Sequence, residues 1–152
     1  MFATNHYQHH KQFQTLRRAV EHEALVSLKA TDSGVRTPHL VTVAAVRELA
    51  MVLAYDAVDG RSLDEVDDGA VDDGVLRGVW RQVARLRRER IAHRDLRLAN
   101  VFLDPDGRAW LIDFGFAELA ASDAMLDEDA AELLCSTYTK VGPSGQWPRQ
   151  WR

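Results

Sequence analysis

The 152-residue sequence predicts an α+β fold, and three observations carry that prediction. Two stretches repeat apolar residues at helical spacing, residues 15–30 and 72–90. Two apolar, partly β-branched runs, residues 40–45 and 50–56, read as strands. Between residues 101 and 112, two short apolar runs flank a Pro-Asp-Gly turn, the signature of a hairpin. The length suits one domain, since domains hold about 100–200 residues. Hydrophobic content of 46% with 28% charged residues is that of a globular chain able to bury a core.

Residues 1–14 are polar and His-rich and read as a flexible tail. His6, His9 and His10 have no Cys or acidic residue nearby, so a plain tail is favoured over a metal site. In the first helix, Leu16, Val20, Leu25 and Leu28 are taken as the apolar face; Gly34 can end it and Pro38 cannot continue it. The segment "DGRSLDEVDDG" reads as a polar turn with a short helix. The second helix places Val75, Leu76, Val79, Trp80, Val83 and Leu86 on one face. Its arginines, Arg81, Arg85, Arg87 and Arg88 with Arg90 beyond, read as a solvated face rather than a binding patch. "DEDAAELLCSTY" is the last helix candidate, and residues 136–152 are expected to be an irregular tail.

A net charge of −4 provides no global basic field for nucleic acid. Cys135 is the only cysteine, which excludes an intramolecular disulfide and fits a cytoplasmic setting. The N-terminal residues lack the apolar run of a signal peptide, and no run reaches the ~20 apolar residues of a membrane span.

The chemistry concentrates in "IAHRDLRLANVFLDPDGRAWLIDFGFAEL". Asp95 lies in a loop after the second helix, Asn100 at the start of the first hairpin strand, and Asp113 at the end of the second. A hairpin returns the chain to its origin, so the three should converge at one rim. Two carboxylates and an amide oxygen are hard oxygen ligands suited to Mg²⁺. A carboxylate left free of metal can accept a proton from an attacking hydroxyl.

"HRDLRLAN" followed by "IDFG" resembles the catalytic loop and metal-binding loop of the protein-kinase-like superfamily. The resemblance implies mostly a C-lobe with an incomplete N-lobe over residues 15–135. Asp95 would be the catalytic base, Asn100 and Asp113 the Mg²⁺ ligands, and His93 and Arg94 supports of the loop. Arg97 stands where many kinases carry a Lys that meets the transferred phosphate, although an exposed charge reads the same. "MVLAYDAVDGRSL" is similar to the segment joining the lobes (hinge near 53–58), so the backbone of Ala54, Tyr55 and Asp56 would bond adenine. The first helix resembles the one whose Glu pairs with a phosphate-binding Lys, and the Leu25/Leu28 register favours Glu21 over Glu23. Asp129 is similar to the buried Asp that holds the catalytic loop.

The pattern has gaps. No Gly-rich loop or Lys-bearing strand precedes the first helix; Lys11, in an unpatterned stretch, is a poor substitute. The stretch from Gly115 to Asp129 is too short for a long activation segment, which resembles the compact bacterial lipopolysaccharide-kinase and aminoglycoside-phosphotransferase type, here truncated. The implied function is ATP- and Mg-dependent, serine/threonine-kinase-like transfer of the γ-phosphate to a hydroxyl acceptor (small molecule, lipid sugar or protein), weak in this form. The alternative is a pseudokinase or regulatory binding module without catalysis.

Overall fold

A computed structural model describes residues 3–47 and 50–142, with side chains from Thr15 onward. The elements are α1 (Ala3–Asp32), β1 (Leu40–Arg47), β2 (Ala50–Tyr55), β3 (Arg61–Ser62), α2 (Asp73–Arg88), β4 (Val101–Leu103), β5 (Ala109–Leu111) and α3 (Asp123–Val141). Short 3-10 turns lie at Asp68–Ala70 and Leu98–Asn100. The α+β prediction holds: β1 and β2 form one antiparallel pair, and β3-β4-β5 form a second antiparallel sheet.

α1 starts at Ala3, so the backbone is helical through most of the stretch expected to be a tail. No Gly or Pro occurs before Gly34, and nothing local stops the helix. The side chains of His6, His9, His10 and Lys11 lie outside the described residues. Gly34, at φ 78°, ends α1; Val35 N–H donates to Ala30 O (3.0 Å) and Gly34 N–H to Thr31 O (2.9 Å). These bonds satisfy carbonyls that the last turn would otherwise leave open. The expected apolar face of α1 is not its packed face. Leu25 and Leu28 are 54% and 49% exposed, whereas Ala24, Val26, Ser27 and Ala30 are buried. Small side chains let α1 approach the rest of the molecule closely; large leucines at those positions would hold it off.

α2 follows its predicted pattern. Asp72 caps it by accepting from Val75 N–H (2.9 Å), and Val75, Leu76, Val79, Val83 and Leu86 are buried. Arg87 and Arg90 point to solvent and pair with Asp127 and Asp123 of α3. The hairpin β4–β5 turns at Gly107, whose φ of 73° favours glycine. Asp104 stabilises that turn by accepting from the amides of Asp106 and Arg108 and from Trp110 Nε1. The segment read as a polar turn instead contributes β3, which pairs Ser62 with Phe102 of β4. Gly60 permits this approach: a Cβ there would lie 2.6 Å from Leu103 O. α3 extends to Val141, so the irregular tail does not begin at residue 136; residues 143–152 lie outside the described residues.

The main core joins Leu63, Leu86, Ile91, Leu96, Leu111 and Leu133, all essentially inaccessible, to Val26, Ala30 and Val35 from the α1 side. Burying each large aliphatic side chain contributes about 1.5–3 kcal/mol. The core lies directly beneath the loop that carries Asp95.

Candidate active site

The loop from Ile91 to Leu98 leaves α2 and passes over the core outside any helix or strand ladder for most of its length, so side chains satisfy several of its amides. Asp129, on the buried face of α3, accepts His93 N–H (2.6 Å) and Arg94 N–H (2.8 Å). Glu132, one turn on, accepts Leu96 N–H at 3.0 Å. Asp129 is 4% exposed, and two amides facing its carboxylate are the compensation a buried charge needs. Arg94 adopts φ 67°, the left-handed turn that swings Asp95 outward. Strand-like bonds between Ala92 and Glu118 fix the other side of the loop.

His93 is fully buried, and its Nε2 bonds Ile112 O at 2.9 Å. The carbonyl only accepts, so Nε2 carries the proton; Nδ1 is buried without a partner among the described residues. Burial holds the imidazole pKa below its ordinary value, with the Ile112 bond and neighbouring carboxylates opposing. The His93 and Phe114 rings pack with centroids 4.9 Å apart. One side chain thereby links the Asp95 loop to the backbone just before Asp113.

The three predicted rim residues do converge. Asn100 Nδ2 donates to both Asp95 O and Asp95 Oδ2, each at 2.8 Å. Ile112 N–H donates to Asn100 O at 3.0 Å, which sets Asp113 beside Asn100. Asp113 adopts φ 64° and is exposed, and its Oδ1 accepts Gly115 N–H at 3.3 Å. Arg97 Nε pairs with Asp95 Oδ1 at 2.9 Å, while the Arg97 side chain stays exposed.

Mg²⁺ fits this donor set. Both Asn100 amide hydrogens are engaged, and its side-chain oxygen accepts nothing among the described residues. Asp113 has no cationic partner among the described residues. No three His, Cys, Asp or Glu side chains cluster as a closed cage among the described residues. An ion here would keep water or phosphate oxygens, as Mg²⁺ prefers.

Other predicted positions differ. Glu21 is exposed on the outer face of α1 and pairs with Arg17. Glu23 is the residue that turns inward: it is half-buried, and Tyr55 OH donates to its Oε1 at 3.4 Å. Burial raises the Glu23 pKa, the Asp113 charge raises it further, and the Tyr55 bond opposes them. Tyr55 is likewise pushed up, by burial and then by the Glu23 charge. The error at Glu21 follows from the error in the packed face of α1. Its signal was available in the small residues Ser27 and Ala30, spaced at four and seven from Glu23.

A cavity of about 330 Å³ opens between α1, β2 and the hairpin, with Phe102, Ile112, Phe114 and Val58 as apolar walls and Glu23 and Asp113 at its polar end. A second hollow of about 590 Å³ adjoins it through Thr37, Pro38 and Val58. Tyr55 lines the first and Asp56 the second. Ala54 lies within the ladder opposite Thr42, and Asp56 N–H already donates to His39 O at 2.9 Å. The Asp56 amide is therefore committed to the strand pair instead of a ligand. Val58, at the end of the expected hinge, borders both hollows.

The site combines an oxygen-donor rim at Asp95, Asn100 and Asp113, a buried Asp clamping a His-Arg-Asp loop, and an apolar cleft alongside. The family description "Protein kinase domain" matches residues 3–141, and the chain belongs to that family. It is 30% identical over 80 residues to a probable serine/threonine-protein kinase KIN1 homolog from Enterocytozoon bieneusi, covering 49% of this chain and 13% of that protein. It is 32% identical over 78 residues to the mitogen-activated protein kinase kinase kinase MCK1 of Pyricularia oryzae, covering 47% of this chain and 5% of that protein. The match thus spans a small part of either relative. No helix among the described residues is long and apolar enough to cross a membrane.

Proposed function

We propose that the chain binds ATP with Mg²⁺ in the cleft beside Phe102, Ile112 and Phe114 and transfers the γ-phosphoryl group to a hydroxyl acceptor. The observation that carries this reading is the bonded series Asp95–Asn100–Ile112, which brings the Asp95 carboxylate, the Asn100 side-chain oxygen and Asp113 to one rim. Mg²⁺, when bound with nucleotide, offsets phosphate charge. Asp113 and Asn100 would hold it. Asp95 would take the acceptor hydroxyl proton, oriented for that by the Asn100 amide. Arg97, already on Asp95, would place positive charge where the transferred group passes. Only a short stretch separates Gly115 from α3, which favours a compact acceptor over a docked peptide and keeps the compact phosphotransferase subtype as the finer reading.

The second reading, a nucleotide-binding module without transfer, draws on one observation. Lys29 pairs with Glu89 and Lys140 with Asp68, so neither faces Glu23. Losing one preorganised donor costs about 10²–10³ in rate. Turnover is therefore expected below the roughly 1–100 s⁻¹ usual for kinases.

Calorimetry with MgATP and transfer from labelled ATP to hydroxyl acceptors test both readings. Asp113→Ala should lose Mg-dependent ATP binding, whereas Asp95→Asn should keep binding and lose transfer. Binding without transfer in the parent would select the second reading. Unaltered MgATP binding by Asp113→Ala would remove Asp113 from the metal site.

A further inference from the structure

Asp113 keeps a left-handed backbone, at φ 64°, without being a glycine. A residue persists there only where its surroundings fix it. The side before it is fixed: Ile112 N–H donates to Asn100 O, and Ile112 O accepts from His93. The side after it is a tight turn, closed by Ala117 N–H to Phe114 O at 3.0 Å and by Gly115 N–H to Asp113 Oδ1 at 3.3 Å. Glu118 exchanges backbone bonds with Ala92, which ties the end of this turn to the Asp95 loop. Ala117, 2% exposed, offers its carbonyl to His22 Nε2 of α1 at 2.9 Å. The carbonyl only accepts, so Nε2 donates. A side chain 95 residues away in sequence thus reaches from α1 to the turn that follows Asp113. Its neighbour Glu23 lines the same cavity as Asp113, so consecutive residues of α1 face that cavity and grip the turn after it.

The geometry points to His22 as a positioning residue for Asp113. Its donor holds the Phe114–Ala117 turn against α1, and that turn holds Asp113 in its left-handed conformation. Without the donor, the carbonyl of a buried residue loses its partner, which favours any rearrangement that returns it to water. Asp113 then loses one of the contacts that fix its backbone, and its carboxylate spreads over more orientations. Packing alone does not need the donor, because a ring of similar size fills the space between α1 and the turn. Hydrogen bonding and bulk can therefore be separated by substitution. The inference rests on the proposed metal role of Asp113, and it makes affinity for the Mg-nucleotide depend on where α1 sits.

The test compares His22→Phe, which keeps a ring and loses the donor, with His22→Gln, whose amide nitrogen lies close to where Nε2 sits. Calorimetry on the full chain should show MgATP affinity falling about 10-fold in His22→Phe, the low end of the loss when groups that orient a metal ligand are removed. His22→Gln should bind close to the parent. Amide hydrogen exchange of the nucleotide-free protein gives a second readout. The Gly115 and Ala117 amides should exchange faster in His22→Phe and near the parent rate in His22→Gln. The Leu111 amide, bonded to Arg36 O, should be unchanged in both. Parent-like MgATP affinity in His22→Phe would overturn the inference, and so would an equal loss in the two variants, which assigns the effect to shape. Faster exchange at Leu111 as well would mean general loosening and would also overturn it. Absence of MgATP binding by the parent would instead defeat the proposed function. The exchange pattern then decides the role of His22 alone, and equal Ala117 rates in the parent and His22→Phe overturn it.

Discussion

The α1–β1–β2 region and the region from β3 to α3 are built to different standards of burial. The second encloses nearly all of the main core, including Leu63, Leu86, Leu96, Leu111 and Leu133. The first contributes Val26, Ala30 and Val35 to that core, while Leu16, Leu25, Leu28, Val41, Val43, Val46 and Val52 remain exposed. β1 is exposed over almost its whole length, and among the described residues its sheet has two strands. A two-stranded ribbon is marginal unless something packs on it. Here α1 covers one side, using small residues. The difference locates stability and chemistry together: Asp95 and Asn100 stand on the closed core, whereas Glu23 and Tyr55, from the open region, share a cavity with Asp113.

The largest expected effect sharpens that contrast directly. Leu111→Ala should cost about 2–5 kcal/mol, because a fully buried side chain leaves a cavity. Leu25→Ala, at a position 54% exposed, should stay within about 0.5 kcal/mol. Urea unfolding measures both. Similar losses at the two sites would mean that the open region is as closely packed as the core.

Local signals made the second region readable. The Pro-Asp-Gly turn and the Asp104 bonds sit within one hairpin, so β4 and β5 could be placed from neighbours in sequence. Asn100 and Asp113 followed from the hairpin, and Asp95 from its place in the loop just before it. β3 was not readable: Arg61–Ser62 is a strand only because Gly60 lets it lie against β4, some forty residues away. The α1 register failed for a related reason. Leu25 and Leu28 are the more hydrophobic residues, yet close approach selects Ala24, Ser27 and Ala30, and only the tertiary partner reveals that preference. Glu23 was missed with it.

An intermediate effect comes from His93, at the centre of the closed region. Its folded pKa lies below the ordinary 6.5, chiefly through burial. The folded state thus favours the neutral ring, and the stability this contributes is complete above pH 6.5. It is lost as pH falls from there toward the folded value, at up to about 1.4 kcal/mol per pH unit. Urea midpoints between pH 7.5 and 5.5 should decline in the parent. His93→Gln keeps a donor for Ile112 O and should show a flatter profile, whatever its absolute stability. Equal slopes would show that another group controls the decline and would detach His93 from the core of this region.

The smallest effect on stability is expected on β1. Val41 is 58% exposed, and Val41→Thr keeps a β-branched side chain suited to a strand while replacing a methyl with a hydroxyl. Nothing buried is disturbed, so the urea midpoint should shift by no more than about 0.5 kcal/mol. Solution behaviour should change more. A two-stranded sheet with apolar residues facing water offers both an unpaired edge and a sticky face for self-association. Light scattering over a concentration series should show less association for Val41→Thr than for the parent, and less again when Val46→Thr is added. A loss of ~1 kcal/mol or more for Val41→Thr, with association unchanged, would place Val41 against a packed surface and dissolve the distinction between the two regions.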